Sequence, residues 1–339
     1  MHILYVTDVP FTIRIRKGGD VTEFVFDTEF INWCWEIWEG IALSKYFDVT
    51  LVNVENVVLP NDFDLIYIPS DSCVEVAWEI AEKFNKPVVM QCISAPPREV
   101  DKHWRNVLKF IESNHVLFLT CVSPFVCREW SRYLNEKDID KEVIYVPHGV
   151  NDIVANNVNV CPSSRSCYVT IAKLMPWKKV DVLIKTFGKL LRDDLLIIGD
   201  GPMRRELEKL NIIYLSPAKF LGVVDELTKF ELLANAKAYV QASESEQFSI
   251  PVVEACYMAT PCVVYRQDVV YEIHRDNPAV IFWENEDELV KAIEKIDSLS
   301  TNEINELGLR GRDWVVKQGM TLTQRSEKLA NMLIEWLKK

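Results

Sequence analysis

Two carboxylates and two lysines are the side chains of this chain best placed to do chemistry. Glu246 and Glu254 stand eight residues apart in the stretch from Ala242 to Val264, ASESEQFSIPVVEACYMATPCVV. A strand ends there, a polar loop follows, and a helix begins. The spacing puts Glu246 on the loop and Glu254 early in the helix, not as neighbours on one helical face. In that position the helix dipole favours Glu254. Main-chain N–H groups around Ser249 and Ile250 are free to hold an anion such as phosphate. A carboxylate accepts hydrogen bonds from sugar hydroxyls, often two at once. The plainer alternative is a surface glutamate at 246 and a helix-start glutamate at 254.

Lys173 and Lys178 flank the turn Lys173-Leu174-Met175-Pro176-Trp177-Lys178-Lys179, five positions apart, so both could reach one anion. A protonated amine neutralises phosphate charge as it develops; the plainer alternative is a solvated basic turn. Gly199-Asp200-Gly201-Pro202 closes another strand, where glycine permits tight turns and close ligand approach. It lacks the Gly-Lys-Thr/Ser ending of a P-loop. Gly18-Gly19 follows the first strand, but Gly19 lies eleven positions after Asp8, too far for a dinucleotide fingerprint.

The elements that must carry these residues form two series of strands alternating with helices. The first predicts strands at 3–7, 49–54, 65–69, 87–92, 116–122 and 143–146, with helices such as 72–84 and 124–134. A turn-rich stretch at 151–165 holds no convincing element. Alternation then restarts, with strands at 168–172, 195–198, 212–215, 238–242 and 262–265. Helices are predicted at 180–191, 203–210, 226–235 and 251–259, and the tail is helical from about 287. Short β-branched runs separated by helices mean βαβ units and mostly parallel sheets. The expected organisation is α/β: a Rossmann-like domain at 1–150, a linker at 151–165, and a second Rossmann-like domain at 166–320. A terminal segment follows at 321–339. In such sheets ligands bind at the carboxyl ends of the strands. The cluster Trp33, Trp35 and Trp38 reads as core or domain-cleft packing.

The chain has 339 residues and a net charge of −12. Residues 1–150 hold 14 basic and 23 acidic side chains, so no broad nucleic-acid surface is expected. No run of 18 apolar residues exists, and the N-terminus lacks the pattern of a secretory signal. Nine cysteines without paired short spacing read as free thiols of a reducing compartment. The five histidines show no ligand spacing. Asp62-Phe63-Asp64 precedes a strand instead of following one and reads as a solvated turn.

The motifs together resemble the retaining GT-B-fold glycosyltransferases of family 4. Members carry a stretch like Ser-x-x-Glu-Gly-Phe-Gly-Leu-Pro-x-x-Glu-Ala-Met-Ala-x-Gly-x-Pro-Val-Val. Ser243, Glu246, Phe248, Ile250, Pro251, Glu254, Ala255, Pro261, Val263 and Val264 match it in register. The family's Gly-Arg-Leu-x-x-x-Lys-Gly appears as Ala172-Lys173-Leu174 and Lys178-Lys179, and Gly-Asp-Gly-Pro is complete at 199–202. Pro147-His148-Gly149-Val150-Asn151 resembles the boundary motif. The resemblance covers about 143–297; the first 142 residues match mainly in the order of elements.

It implies a GT-B fold, two Rossmann-like domains facing across a cleft, with a C-terminal helix at about 322–337 crossing back to the first. It implies transfer of a sugar from a UDP-, GDP- or ADP-sugar to a hydroxyl acceptor, with retained configuration and without metal or other cofactor. The acceptor is a glycan, a lipid-linked hydroxyl or a small molecule. The rivals are a non-catalytic sugar-nucleotide-binding homologue or partner subunit, and an epimerase on the same fold. Carried over by position, Lys173 and Lys178 hold the diphosphate, Glu246 the transferred sugar, and Glu254 the ribose. Ser249, Ile250, Phe248, Gly201 and Gly19 line the nucleotide. The implied setting is cytoplasmic, with peripheral membrane contact left open and no nucleic-acid partner. Gln247, Ser249, Ala259 and Lys179 stand where the family has glycine. Gln91-Cys92-Ile93-Ser94 stands where it often has a histidine.

Overall fold

The computed structural model describes all residues except 8–12, 19–20, 25–34, 56–58, 61, 98, 215–217, 337 and 339, and only the backbone of 21–24. In chain order the elements begin with β1 (His2–Thr7), β2 (Ile13–Ile15), β3 (Val21–Phe24), α1 (Trp35–Leu43), β4 (Asp48–Asn53) and β5 (Leu65–Ile68). They continue with α2 (Val74–Phe84), β6 (Val88–Cys92), α3 (Lys102–Glu112), β7 (Val116–Cys121), α4 (Pro124–Glu136) and β8 (Glu142–Tyr145). The second series is α5 (Asp152–Ala155), β9 (Cys167–Ile171), α6 (Val180–Lys189), β10 (Leu195–Ile198), α7 (Arg204–Ile213) and β11 (Lys219–Gly222). It goes on through α8 (Glu226–Ala234), β12 (Ala236–Gln241), α9 (Ile250–Tyr257), β13 (Cys262–Tyr265), α10 (Asp268–His274) and β14 (Val280–Trp283). Three helices close the chain: α11 (Glu286–Asp297), α12 (Thr301–Lys317) and α13 (Leu322–Trp336).

The chain divides into two lobes, one of residues 1–148 with 322–339, the other of residues 149–321. The second lobe has a six-stranded sheet in the order β11-β10-β9-β12-β13-β14. All its pairings are parallel. Counted from β9 that order is 3-2-1-4-5-6, the doubly wound arrangement, which reverses between β9 and β12. Loops leaving the carboxyl ends of those two strands therefore diverge and leave room for a ligand. The core beneath is Tyr168, Leu183, Phe187, Val240, Val263 and Ile293, all fully buried.

The first lobe has eight strands in the order β3-β2-β4-β1-β5-β6-β7-β8. From β4 to β8 it is parallel, as the βαβ pattern predicts. The β2–β3 hairpin is not in the sequence reading; it pairs antiparallel with itself and with β4 and extends one edge. Its strands are three and four residues long, too short to show an alternation.

Helix α13 is a member of the first lobe, with Leu329, Ala330 and Leu333 in its core. Its charged anchor is Arg325, 1% exposed, which pairs with the fully buried Glu39 of α1 at 2.6 Å. The guanidinium also donates to the carbonyls of Val146 and Pro147 and to Tyr67 Oη and Gln91 Oε1. Burial works against its charge, but Glu39 outweighs that and the pKa stays above the ordinary arginine value. Glu39 also accepts from Tyr5 Oη at 2.6 Å. It is thus a core residue; Trp33 of the tryptophan cluster lies outside the described residues.

The expected strand at 212–215 is wrong. Ile212 and Ile213 end α7, 75% and 72% exposed, and the strand beside β10 is Lys219–Gly222. A pair of isoleucines facing solvent looked like a buried strand. Within 151–165 one helical turn, α5, forms where none is expected; Asn151 caps it by accepting from Val154 N.

Candidate functional site

Three loops at the carboxyl ends of β9, β10 and β12 assemble the expected residues of the second lobe. After β9 the chain is pinned by the buried Leu174, whose N–H donates to the Asp200 carbonyl at 2.8 Å and whose carbonyl accepts from Met203 N at 3.0 Å. That close passage explains Gly199-Asp200-Gly201-Pro202. A Cβ on Gly201 would lie 2.7 Å from the Leu174 nitrogen, and one on Gly199 2.0 Å from the Ala172 carbonyl oxygen. The glycines are required by main chain packed against main chain.

A 3-10 turn at Pro176–Lys178 then presents Lys178, and Lys179 begins α6 in the left-handed region at φ 49°. Lys178 Nζ lies 2.5 Å from Glu246 Oε1, with side chains 22% and 12% exposed. The two loops are tied beside this pair, since Glu244 N donates to the Trp177 carbonyl at 2.9 Å. Lys173 is exposed and makes no ion pair among the described residues.

Ser249 precedes α9 at φ 70°, ψ 73°. Its hydroxyl donates to Gln241 Oε1 at 2.7 Å instead of capping the helix. Tyr239 Oη donates to the same oxygen at 3.1 Å. The N–H groups of Ser249 and Ile250, at the start of α9, are of the kind left without an intrahelical partner. Ile250 is half-buried and Phe248 is buried.

Glu254 is the fifth residue of α9, beyond the first turn, so the dipole stabilisation expected of it is the smaller effect. The charge it meets is Lys229 of α8, whose Nζ donates to Glu254 Oε1 at 2.7 Å and to Glu226 Oε1 at 2.5 Å. Glu226 Oε2 in turn accepts from Asn151 Nδ2 at 3.4 Å. Burial raises the Glu254 pKa above the ordinary carboxylate value; Lys229 opposes the shift and Glu226 adds to it. For Lys229, burial works against the charge, but Glu254 and Glu226 prevail and its pKa lies above the ordinary lysine value.

Lys229, Glu226 and Gln241 are not among the expected site residues. The Glu226–Lys229 spacing on a helix looks like an ordinary exposed pair. Only the packing of α8 on α9 turns Lys229 toward Glu254.

Gly19 lies outside the described residues. His148 of the boundary motif and Gln91, at the position where the family often has a histidine, serve the interior of the first lobe. His148 is buried, edge-on to Trp35 at 5.6 Å. Burial and the nearby Arg325 hold its pKa well below the ordinary value. Gln91 donates to the Pro69 carbonyl and accepts from Tyr67 and Arg325. His103 lies 3.2 Å from Asp71. In Asp62-Phe63-Asp64 the outer residues face solvent and Phe63 is buried.

Three of the four residues standing in place of a family glycine keep the left-handed conformation: Lys179, Ser249 and Ala259, with φ of 49°, 70° and 53°. The backbone path of the motif therefore survives the substitutions. Ala259 is held there by Arg165, which donates to its carbonyl at 2.9 Å. Among the described residues no group of three or more His, Cys, Asp or Glu could hold a metal ion, and no helix is long and apolar enough to cross a membrane. The eight described cysteines are free thiols.

Residues 156–314, which contain all of these loops, match the family model of glycosyl transferases group 1. A protein of Sulfolobus islandicus filamentous virus with the provisional name glycosyltransferase 63 is 33% identical over 144 residues, 40% of this chain and 48% of that protein. N-acetyl-alpha-D-glucosaminyl L-malate synthase of Bacillus anthracis is 27% identical over 174 residues, 50% of this chain and 44% of that protein. The chain spans about half the length of these curated relatives. Among solved structures, sucrose-phosphate synthase from Thermosynechococcus elongatus superposes with a TM-score of 0.72 at 14% identity, covering 99% of both chains. Anabaena HepE in complex with UDP gives 0.70 at 14% identity, over 99% of this chain and all of that one.

At such identities the structures speak to the fold, and it is the GT-B fold that the motifs imply. The likeness to the glycosyl transferases group 1 family is that of residues 156–314.

Proposed function

We propose that the protein is a retaining glycosyltransferase that moves a sugar from a nucleoside diphosphate sugar to a hydroxyl acceptor. The observation that carries this reading is the pair of ion contacts, Lys178–Glu246 half-buried and Lys229–Glu254 deeper, at the reversal point of the sheet in the stretch that matches the group 1 model. One places a cation beside a carboxylate on the loops after β9 and β12; the other holds a carboxylate one turn into α9. A sugar nucleotide needs all of these: a cation for the diphosphate, an acceptor for sugar hydroxyls, and an acceptor for ribose hydroxyls.

In this reading Lys178 leaves Glu246 for the diphosphate when the donor binds, with Lys173 as second cation and the N–H groups of Ser249 and Ile250 on a phosphate oxygen. Glu246 then accepts from the transferred sugar, and Glu254 from the ribose. Phe248 and Gly201 shape the nucleotide's bed. The bond from the sugar's anomeric carbon to the diphosphate oxygen breaks as the acceptor oxygen bonds to the same face. The departing phosphate oxygen takes the acceptor's proton. Lysine stabilises the charge that develops on the leaving group, an effect worth about 10²–10³ in rate for one well-placed donor. No metal is required by these roles. The acceptor is a glycan, a lipid-linked hydroxyl or a small molecule, and the setting is cytoplasmic, with peripheral membrane contact left open.

The test is turnover on a panel of UDP-, GDP- and ADP-sugars with simple glycoside, polyol and lipid-like acceptors. Diphosphate release and product mass are read, and the product's anomeric configuration is assigned by NMR. One donor should release diphosphate faster with an acceptor present and yield a product of unchanged configuration. A sugar altered without diphosphate release would instead mark an epimerase. An inverted product would remove the retaining mechanism, and donor binding without turnover would mark a non-catalytic homologue.

A further inference from the structure

We infer that Lys229 is the positioning residue for Glu254, fixing one oxygen of that carboxylate so that the other is presented to the ribose of the donor. The inference rests on the donor-site reading above. Lys229 Nζ meets Oε1 of Glu254 at 2.7 Å, whereas Oε2 has no hydrogen bond to the described residues. The carboxylate therefore has one locked oxygen and one open. Lys229 is itself set in place from three sides. Glu226 Oε1 takes a second of its protons at 2.5 Å, and Asn151 steadies Glu226 from the start of α5. The Phe230 ring lies 4.9 Å from the ammonium. Asp225 caps α8 by accepting from Thr228 N and Oγ1, which fixes the turn bearing Lys229.

An ion pair this deep is a weak source of stability, because removing both charges from water costs about as much as their attraction returns. A merely structural contact between α8 and α9 would be served as well by apolar side chains. What an apolar contact cannot supply is a charged glutamate in a buried position. Deprived of Lys229, Glu254 would be pushed by burial and by Glu226 further toward its protonated form, which has half the accepting capacity toward a ribose diol.

The other charged or titratable groups on elements packed against Glu254 do not replace that cation. Glu226 on α8 has the wrong sign. Tyr239 on β12 and Cys262 on β13 are neutral, burial pushing both well above their ordinary values. Arg312 of α12 is engaged with the Tyr257 ring and carbonyl and with Asn156.

The experiment is calorimetric titration of the intact protein with UDP, GDP and ADP between pH 6 and 9, for the wild type, Lys229→Met, Lys229→Gln, Lys229→Arg and Lys229→Met/Glu254→Gln. The nucleotide bound by the wild type should bind Lys229→Met and Lys229→Gln at least tenfold more weakly at pH 6.5. Most of that loss should be recovered by pH 9, as Glu254 ionises. Lys229→Arg should restore the wild-type profile, and Lys229→Met/Glu254→Gln should be weak and flat across pH. Lys229→Gln, which keeps a hydrogen-bond donor, serves if Lys229→Met does not fold. Weakening equal at every pH, or no weakening, would overturn the inference while leaving the donor site standing. Absence of nucleotide binding by the wild type would overturn the donor site itself.

Discussion

Lowering the pH from 7.5 to 5 should cost the second lobe about 2 kcal/mol through His274 alone. This side chain, the last residue of α10, is fully buried, and neither ring nitrogen has a hydrogen-bond partner among the described residues. Its nearest ring neighbour is Trp314, 5.3 Å away. Burial alone lowers its pKa from 6.5 to about 3. The unfolded chain takes up this proton below 6.5, whereas the folded chain resists until about 3. Stability is therefore complete above 6.5 and drains away as the pH falls toward 3. At pH 5 the difference in proton binding amounts to about 2 kcal/mol, and at pH 3 to about 4 kcal/mol, from 1.36 kcal/mol per pKa unit.

His274→Phe keeps a ring beside Trp314 and removes the titration. Urea unfolding of wild type and variant from pH 7.5 to 5 isolates the effect. His148 and the carboxylates contribute equally to both proteins and cancel in the difference. The variant should match or exceed the wild type at pH 7.5, since a buried polar group without partners is removed. It should gain about 2 kcal/mol on the wild type by pH 5. Parallel pH profiles would refute the reasoning and mean that His274 has a partner or reaches water.

Arg325→Met should destabilise the first lobe by about 3–5 kcal/mol, read by denaturant titration, because it strands Glu39 as a buried unpaired charge. Adding Glu39→Gln should recover part of that loss. Gly308→Ala should cost about 1–3 kcal/mol by the same assay, since its Cβ would fall 1.8 Å from the Ala259 carbonyl oxygen and force α12 off α9. Lys179→Gly should raise the melting temperature, gaining about 0.5–1 kcal/mol by relieving a left-handed residue. The half-exposed Lys179–Glu244 contact it removes is worth little.

The six expected strands of the first lobe all form, and in the second lobe the site is legible because a motif closes each of β9, β10 and β12. Leu195–Ile198 and Cys262–Tyr265 fall at their expected bounds. Where solvent-facing residues imitate a core, as at Ile212 and Ile213, periodicity misleads. The β2–β3 hairpin is too short to leave a pattern. At the site, the loop position of Glu246 and the turn bearing Lys178 follow from local sequence, but their meeting does not. It depends on β9 and β12 being neighbours in the sheet, 68 residues apart for that contact. Lys229 was invisible for a like reason. Its spacing to Glu226 is helical and unremarked, and its bond to Glu254 crosses from α8 to α9. The glycine replacements show the reverse case. Substitution alone suggests a changed backbone, whereas Lys179, Ser249 and Ala259 remain at positive φ because neighbouring contacts hold them.

The central claim is that a nucleoside diphosphate binds on the loops after β9 and β12, with Lys178 on its phosphates and Glu254 on its ribose. Titration of UDP, GDP and ADP into the wild type, Lys178→Ala and Glu254→Ala at neutral pH tests it most directly. One nucleotide should saturate the wild type and bind each variant at least tenfold more weakly, with the Lys178→Ala loss smaller for the corresponding nucleoside monophosphate. Wild-type affinity retained in both variants, or no binding of any of the three nucleotides, would contradict it.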